Sequence, residues 1–299
     1  MKNIHKKINF FDPQIAFKKK LVNEKFQYLS GTKMPLPSEV EISESGTCNR
    51  KCSFCPRSDP NYLDIKEFIK PALHEKLHRE LAELNFSGTV RYSGFVEPLI
   101  DKNIYNLLRK ARSINKKVNL EMITNGDVLN SARLIKLFNS GLNRLFISVY
   151  DGPDDIKKFK KIRSKTQLSE KQVVIRDRSL SSKEDFGLTI SNRAGMLEKA
   201  EHSIMPLKKN MEHPCYYPSY TFFMDYNGDV LMCAHDWGKK RILGNLMKKS
   251  FLEIWTSQIA KISRKKLNNG DRGFSPCNVC DVHGTLIGKK HSKAWKEIL

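Results

Sequence analysis

The chain has 299 residues, with 53 Lys+Arg against 32 Asp+Glu, a formal net charge of +21 and seven cysteines. Its 39% apolar content excludes wholesale disorder and suits one large domain, or one domain with an appendage. No run of about 18 apolar residues reads as a membrane span and no secretory apolar run opens the chain. Seven cysteines are too few, and odd in number, for a disulfide scaffold. The expectation is a soluble, cytoplasmic protein in a reducing setting, where clustered cysteines bind metal or do redox work.

Residues 1–36 carry eight lysines and two acids and read as a basic N-terminal arm, or a short leading strand and helix. From 37 to 205 the pattern alternates. Strands are predicted at Val40–Ser43, Thr89–Ser93, Val118–Thr124, Arg144–Val149, Val173–Ile175 and Gly187–Ser191. Helical spacing appears at Pro71–Leu84, Asn103–Ile114, Ser131–Asn139 and Asp154–Ile162. Strand–helix alternation implies βαβ units and a parallel sheet. Six strands fall short of an eight-fold barrel, and the eleven residues Arg176 to Phe186 leave little room for a last crossover helix. The fold class expected is therefore α/β, a partial (β/α)6 barrel. From 206 to 299 the texture changes to a small, cysteine-rich module. It has short strands at Thr221–Met224 and Val230–Cys233, an Asn227-Gly228 turn, one helix over Phe251–Leu267 and a basic tail.

Directly after the first predicted strand, Cys48, Cys52 and Cys55 form C-x3-C-x2-C. Iron–sulfur cubes normally take four thiolates. Three on one short loop hold three irons and leave the fourth open to chelate a substrate or cofactor, as an open position marks a catalytic zinc site. The alternatives are a zinc site, although no His falls between Glu39 and Pro71, or buried structural thiols, although the loop is polar. Cys215, Cys233, Cys277 and Cys280 supply four further thiolates, the complete ligand set of a closed cluster. A structural four-thiolate zinc site is the alternative, with only one C-x2-C knuckle to support it.

The loop Cys48-Asn-Arg-Lys-Cys52-Ser-Phe-Cys55, with Phe54 in the aromatic position, resembles the signature of the radical S-adenosylmethionine (SAM) enzymes. The resemblance implies that the three cysteines ligate a [4Fe–4S] cluster whose open iron chelates SAM, with the backbone at Phe54 near adenine. Gly94-Phe-Val-Glu97-Pro98 is similar to the family's G-x-G-E-P element, with Val96 in place of the second glycine, and implies Gly94 and Glu97 as SAM contacts. Ser148, a polar residue in an apolar strand, matches the position that approaches the SAM ribose, or is satisfied by its own backbone. Arg193, in Asn192-Arg193-Ala-Gly195, pairs with the SAM carboxylate or a substrate group, or forms a structural ion pair. The stretch from Cys215-Tyr-Tyr-Pro through Cys233-Ala-His235-Asp-Trp237 to Cys277-x2-Cys280 resembles the SPASM/twitch module in its one-cluster form. That implies a second, auxiliary [4Fe–4S] cluster. Its layout is most similar to the family's aminocyclitol-oxidising dehydrogenases. His235 orients a cluster, acts as a base, or hydrogen-bonds within the fold. Arg193 and His235 are the candidate catalytic residues.

The implied activity is reductive cleavage of SAM to a 5′-deoxyadenosyl radical and hydrogen abstraction from a small polar substrate, a sugar or cyclitol, with the auxiliary cluster as electron acceptor. Maturation of a ribosomal peptide is an alternative, disfavoured by a 36-residue arm too short for a fused leader-binding domain. RNA binding or modification is another, suggested by charge alone and without an interleaved aromatic motif. Residues 239–299 hold 14 basic and 4 acidic residues. This is a solvated lysine-rich surface, or it attracts an anionic substrate or an acidic electron donor such as flavodoxin or ferredoxin.

Overall fold

The computed structural model describes residues 14–178 and 190–299. Five strands follow one another in parallel: β1 (Glu39–Ser43), β2 (Thr89–Tyr92), β3 (Asn119–Thr124), β4 (Arg144–Val149) and β5 (Val173–Asp177). Between them run α2 (Pro71–Glu83), α3 (Ile104–Ile114), α4 (Ser131–Asn139) and α5 (Pro153–Ser164), after an N-terminal α1 (Gln14–Glu24). Each crossover helix presents one apolar stripe to the sheet. α2 buries Leu73, Leu77 and Leu81 at i, i+4 spacing, and α3 buries Ile104, Leu107, Leu108 and Ala111. Pro71 starts α2 where a missing N–H costs nothing. Asn130 caps α4 by accepting from Arg133 N at 2.8 Å. These stripes meet Val40 and Ile42, Val90 and Tyr92, Leu120 and Met122, and Leu145 and Ile147 in one core. The alternate strand residues turn to the concave face.

That concave face is polar. Arg91 pairs with Glu39 and, through Nη2 at 2.8 Å, with Glu121. Lys18 of α1 reaches Glu39 at 3.3 Å, and the Arg144 guanidinium lies 3.8 Å from the Phe17 ring centroid. α1 therefore lies across the N-terminal ends of the strands and closes that mouth. The opposite mouth, at the strands' C-terminal ends, stays open, the usual location of chemistry in a parallel barrel.

The sequence beyond residue 206 does not build a separate sheet. After a short α6 (Tyr217–Tyr220), β6 (Thr221–Asp225) pairs in parallel with β1, in the register Glu39↔Thr221 to Ser43↔Asp225. β7 (Asp229–Leu231) and β8 (Ile242–Asn245) continue it antiparallel, so one sheet runs β5-β4-β3-β2-β1-β6-β7-β8. The single helix predicted over Phe251–Leu267 is two, α7 (Phe251–Trp255) and α8 (Gln258–Asn268). Ser257 between them caps α8 by accepting from Ala260 N, and Ser250 and Glu253 form a capping box on α7. The basic tail contains a docked helix, α9 (Lys289–Lys296), whose Trp295 is fully buried. Arg264 of α8 lies between the rings of Trp255 and Trp295, 3.8 and 4.2 Å from their centroids. Of the strand predicted at Gly187–Ser191, residues 187–189 lie outside the described residues, and Ile190 and Ser191 are not in a strand. No helix among the described residues is long and apolar enough to cross a membrane.

Candidate active site

The open mouth holds a cavity of about 240 Å³ lined by Cys48, Cys52, Cys55 and Phe54 from the loop after β1. Gly94, Val96 and Glu97 line it from the end of β2, Thr124 and Asn125 from β3, Tyr150 from β4, and Arg193, Ala234 and Trp237 from the C-terminal part. The cysteine loop is clamped on both sides. Arg50 donates to Asp127 (Nε–Oδ2 2.7 Å) and to Asp151 (Nη2–Oδ2 2.6 Å), beyond β3 and β4. Asn49 bonds Asp127 and Asn125, each at 2.8 Å. Arg57, just past Cys55 and buried, donates to the Phe95 carbonyl (2.7 Å), the Gly46 carbonyl (2.9 Å) and Asp64. The three thiols are therefore held against three strand ends at once.

Glu97 is buried, and its carboxylate accepts three hydrogen bonds. Oε1 accepts from Leu99 N (2.9 Å) and Thr124 Oγ1 (2.6 Å), and Oε2 accepts from Asn125 N (2.7 Å). It lines the cavity while clasping the ends of β2 and β3. Burial pushes its carboxyl up to about 7 against these three donors. Gly94 has φ +98, and a Cβ there would lie 2.9 Å from the Phe223 ring, so the position takes glycine. Ser148 is buried but is not among the cavity-lining residues. Its hydroxyl accepts from Arg176 Nη2 at 2.8 Å and also bonds Tyr150. Tyr150 in turn packs its ring 5.2 Å from Phe54.

The other four cysteines line a second, smaller cavity with His235, Tyr217 and Arg272. Burial, then the charges of Cys277, Cys280 and Cys215, holds the Cys233 thiol far up, so the four stand together. Arg272 is 1% exposed and donates to the carbonyls of His213 (3.0 Å), Val282 (2.7 Å) and His283 (2.8 Å), tying together the segments that carry Cys215 and follow Cys280. Gly284, at φ +73, lies so close that any Cβ would overlap Cys215 Sγ. None of the seven cysteines is in a disulfide. Burial raises Cys48 to about 11, Cys52 to about 12 and Cys280 to about 11. Thiols so desolvated ionise only beside a strong positive partner, as iron provides, so the donor sets fit clusters. Among the described residues, no three His, Cys, Asp or Glu side chains converge tightly enough to hold a single metal ion. The ligands of an iron–sulfur cube stand further apart.

Arg193 joins the two cavities. It lines the first, where burial raises the Cys55 thiol and the Arg193 charge partly opposes that rise, and its Nη1 lies 3.5 Å from His235 Nδ1. Ser191 Oγ lies 3.0 Å from the same nitrogen. Arg193 and Ala194 both hold positive φ, 49 and 53, a backbone that costs energy in non-glycine residues. Asn192 secures it. Its N–H reaches the Asp281 carboxylate at 2.9 Å, and its Nδ2 reaches the Val279 carbonyl at 2.7 Å, inside and just beyond the Cys277–Cys280 knuckle. His235 lines the second cavity, not the first, and burial followed by Arg193 lowers it to about 3, so the ring is neutral.

The radical SAM superfamily model matches residues 42–173, and the SPASM iron–sulfur cluster-binding domain model matches residues 215–281. The chain belongs to the radical SAM superfamily and carries a SPASM domain. Such an enzyme uses a [4Fe–4S] cluster, SAM and an auxiliary cluster. It is 29% identical over 246 residues to S-adenosyl-L-methionine-dependent 2-deoxy-scyllo-inosamine dehydrogenase of Niallia circulans, covering 82% of this chain and 92% of that protein. Over a shorter stretch, 37% of this chain and 32% of the relative, it is 31% identical to GTP 3′,8-cyclase of Saccharophagus degradans. Among solved structures it resembles BtrN in complex with AdoMet and 2-DOIA, with a TM-score of 0.71, 26% identity, and coverage of 86% of this chain and 98% of that one.

The residues missed in the sequence are mostly the clamps. Arg50, Arg57 and Arg272 carried no motif, because a buried arginine that reads backbone carbonyls has no fixed spacing. Tyr150 and Glu41 left a faint signal, each a polar group on or beside an apolar strand.

Proposed function

We propose that this radical SAM enzyme oxidises an alcohol carbon of a small polyhydroxylated molecule, a cyclitol or sugar, to a ketone. The observation that carries the reading is the shared wall at Arg193. One cavity is bounded by the first cysteine loop on one side and by Arg193, Ala234 and Trp237 on the other, and Arg193 stands beside His235 of the second cavity. A substrate held there lies between the two cysteine sets. The near-complete coverage of a dehydrogenase supports the same reaction class.

In this reading Cys48, Cys52 and Cys55 hold the cluster with the open iron, and Cys215, Cys233, Cys277 and Cys280 hold the auxiliary cluster. With both clusters and SAM bound, they would supply one-electron chemistry: a 5′-deoxyadenosyl radical to take the carbinol hydrogen, and an acceptor for the electron left once the hydroxyl proton has passed to solvent. The chain's own groups do the rest. Phe54 and Tyr150 flank the SAM adenine, Gly94 lets the main chain approach SAM, and Glu97 fixes the strand ends that carry those contacts. Ser148 acts through Tyr150, and Arg193 orients an anionic or hydroxyl group between the cavities. The barrel occupies 37–205 and the SPASM part 206–299. The protein works in the cytoplasm with an acidic flavodoxin or ferredoxin as its electron donor.

The test uses the full chain, reconstituted anaerobically with iron and sulfide and supplied with SAM, reductant and carbon-deuterated cyclitols. Deuterium in 5′-deoxyadenosine and a ketone product are expected. No deuterium transfer from any cyclitol or sugar, with SAM cleavage intact on another substrate class, would overturn the reading.

A further inference from the structure

Arg272 is a buried cation whose partners are all uncharged. A guanidinium keeps its proton at any accessible pH, and this one is 1% exposed. Its Nε donates to the His213 carbonyl (3.0 Å) and its Nη1 to the Val282 carbonyl (2.7 Å). Its Nη2 donates to the carbonyls of Pro214 (3.1 Å) and His283 (2.8 Å) and lies 3.3 Å from His213 Nδ1. The acids nearby are engaged elsewhere. Asp236 accepts from Lys240 N and Arg241 N, Asp281 accepts from Asn192 N, and Asp271 pairs with Lys266. Among the described residues, no carboxylate stands within ion-pairing distance of Arg272.

A buried charge that is hydrogen-bonded but not neutralised is costly unless an anion comes to lie beside it. The second cavity is where that anion belongs. Arg272 lines it together with Cys215, Cys233, Cys277 and Cys280. Burial raises the Cys215, Cys277 and Cys280 thiols, and the Arg272 charge opposes the rise in all three. On Cys233 burial acts with the other thiols and Asp236, all in the raising direction. One fixed cation therefore faces three of the four ligands. Four thiolates leave an iron–sulfur cube net anionic, and an accepted electron adds to that charge. A fixed positive charge in a dry site favours the reduced form. We infer that Arg272 is the counter-cation of the auxiliary cluster and raises its reduction potential, so that the cluster can take the substrate's electron. In that step the substrate carbon radical loses its hydroxyl proton to solvent and one electron to the cluster, and becomes the ketone. Arg272 acts through the cluster and does not touch substrate. This rests on the reading above that the four cysteines hold the auxiliary cluster, and it names what sets that cluster's poise.

Redox titration followed by electron paramagnetic resonance tests it. The full chain carries Cys48→Ala, Cys52→Ala and Cys55→Ala, so that only the second set can hold a cluster, and about four irons per chain are expected. In that chain Arg272→Gln is expected to lower the cluster's reduction constant about tenfold or more, about 59 mV for one electron. Arg272→Lys keeps the charge and loses most of the carbonyl contacts. It is expected to melt lower yet hold a reduction constant within about threefold of the arginine form, less than about 30 mV. An unchanged or raised potential in loaded Arg272→Gln, or an equal fall in Arg272→Lys, overturns the inference and leaves the cluster reading standing. If Arg272→Gln takes up no iron, Arg272→Lys decides. Loading at the parent potential supports a required cation, and no loading or a lowered potential overturns it in favour of a clamp alone. No iron in the chain that retains Arg272 overturns the cluster reading and the inference with it.

Discussion

Arg57 donates to two main-chain carbonyls and one carboxylate from a nearly solvent-free position, so the cysteine loop cannot shift against the end of β2 without stranding a guanidinium. Arg57→Met is expected to cost about 3 kcal/mol of stability, because those acceptors are left unmet. Thermal melts of the apo protein, with iron content after reconstitution, check it, and a melt within 1–2 °C of wild type would show that the clamp is dispensable. The cysteines themselves separate by role. Cys48→Ala is expected to lower iron from about eight to about four per chain and to abolish SAM cleavage. Cys277→Ala is expected to lower iron similarly while SAM cleavage continues without ketone. Paired iron and 5′-deoxyadenosine assays distinguish the two, and loss of SAM cleavage in both variants at equal iron would contradict the division of labour. Gly94 belongs to the same scale. Gly94→Ala meets both an unfavourable φ and the Phe223 ring, and a loss of about 1–3 kcal/mol with weaker SAM binding is expected by melting and equilibrium dialysis.

α2 shows how an element can imitate a site. Its sequence His74-Glu75-Lys76-Leu77-His78 has the spacing of a helical zinc pair. In the fold, both ring Nε2 atoms turn to one buried phenol, Tyr92 Oη, at 2.7 and 3.4 Å, while Glu75 bonds Arg79 and Lys110 at the surface. The pair is core. Burial lowers His74 to about 3 and His78 well below its ordinary value. The folded state therefore prefers neutral rings. Their contribution is complete above pH 6.5, the unfolded value, and is lost as pH falls below it. His74 alone accounts for about 2 kcal/mol between pH 7 and pH 5. His74→Gln, which retains a donor for Tyr92 without a titrating ring, is expected to flatten the fall in stability over that interval. Denaturant melts at the two pH values measure it, and an unchanged slope would count against His74 as the source.

At the scale of the whole molecule, the +21 charge and the continuous sheet are the two features with consequences. β6 covers the β1 edge that an isolated barrel would expose, so the C-terminal part is both a cluster holder and an edge cover. Arg193 can meet both cavities for the same reason. The net charge acts over distance and is screened within about 8–10 Å at physiological ionic strength. Turnover driven by an acidic flavodoxin is expected to fall several-fold as salt rises from about 50 to about 300 mM, while turnover driven by dithionite is expected to change little. Equal salt dependence with both reductants would assign the charge to solvation alone.

Much of this protein was legible along the chain. Strand–helix alternation, the Cys48–Cys55 loop and the Gly94-to-Pro98 element are local patterns, because a loop that holds a cluster by itself needs its ligands a few residues apart and a βαβ unit repeats its periodicity. Pairings between distant segments were decided by the tertiary structure. The sequence of β6 reads as a small module's strand, and only packing reveals that its partner is β1. Glu97 reads as a SAM contact from its motif, and only the fold shows that its carboxylate also accepts from Leu99, Thr124 and Asn125. The seven cysteines could be counted into two sets from their spacing. That the first set opens on one cavity and the second on a smaller one, with Arg193 linking the two through His235, depends on where parallel strands end in space, which no spacing in the sequence encodes.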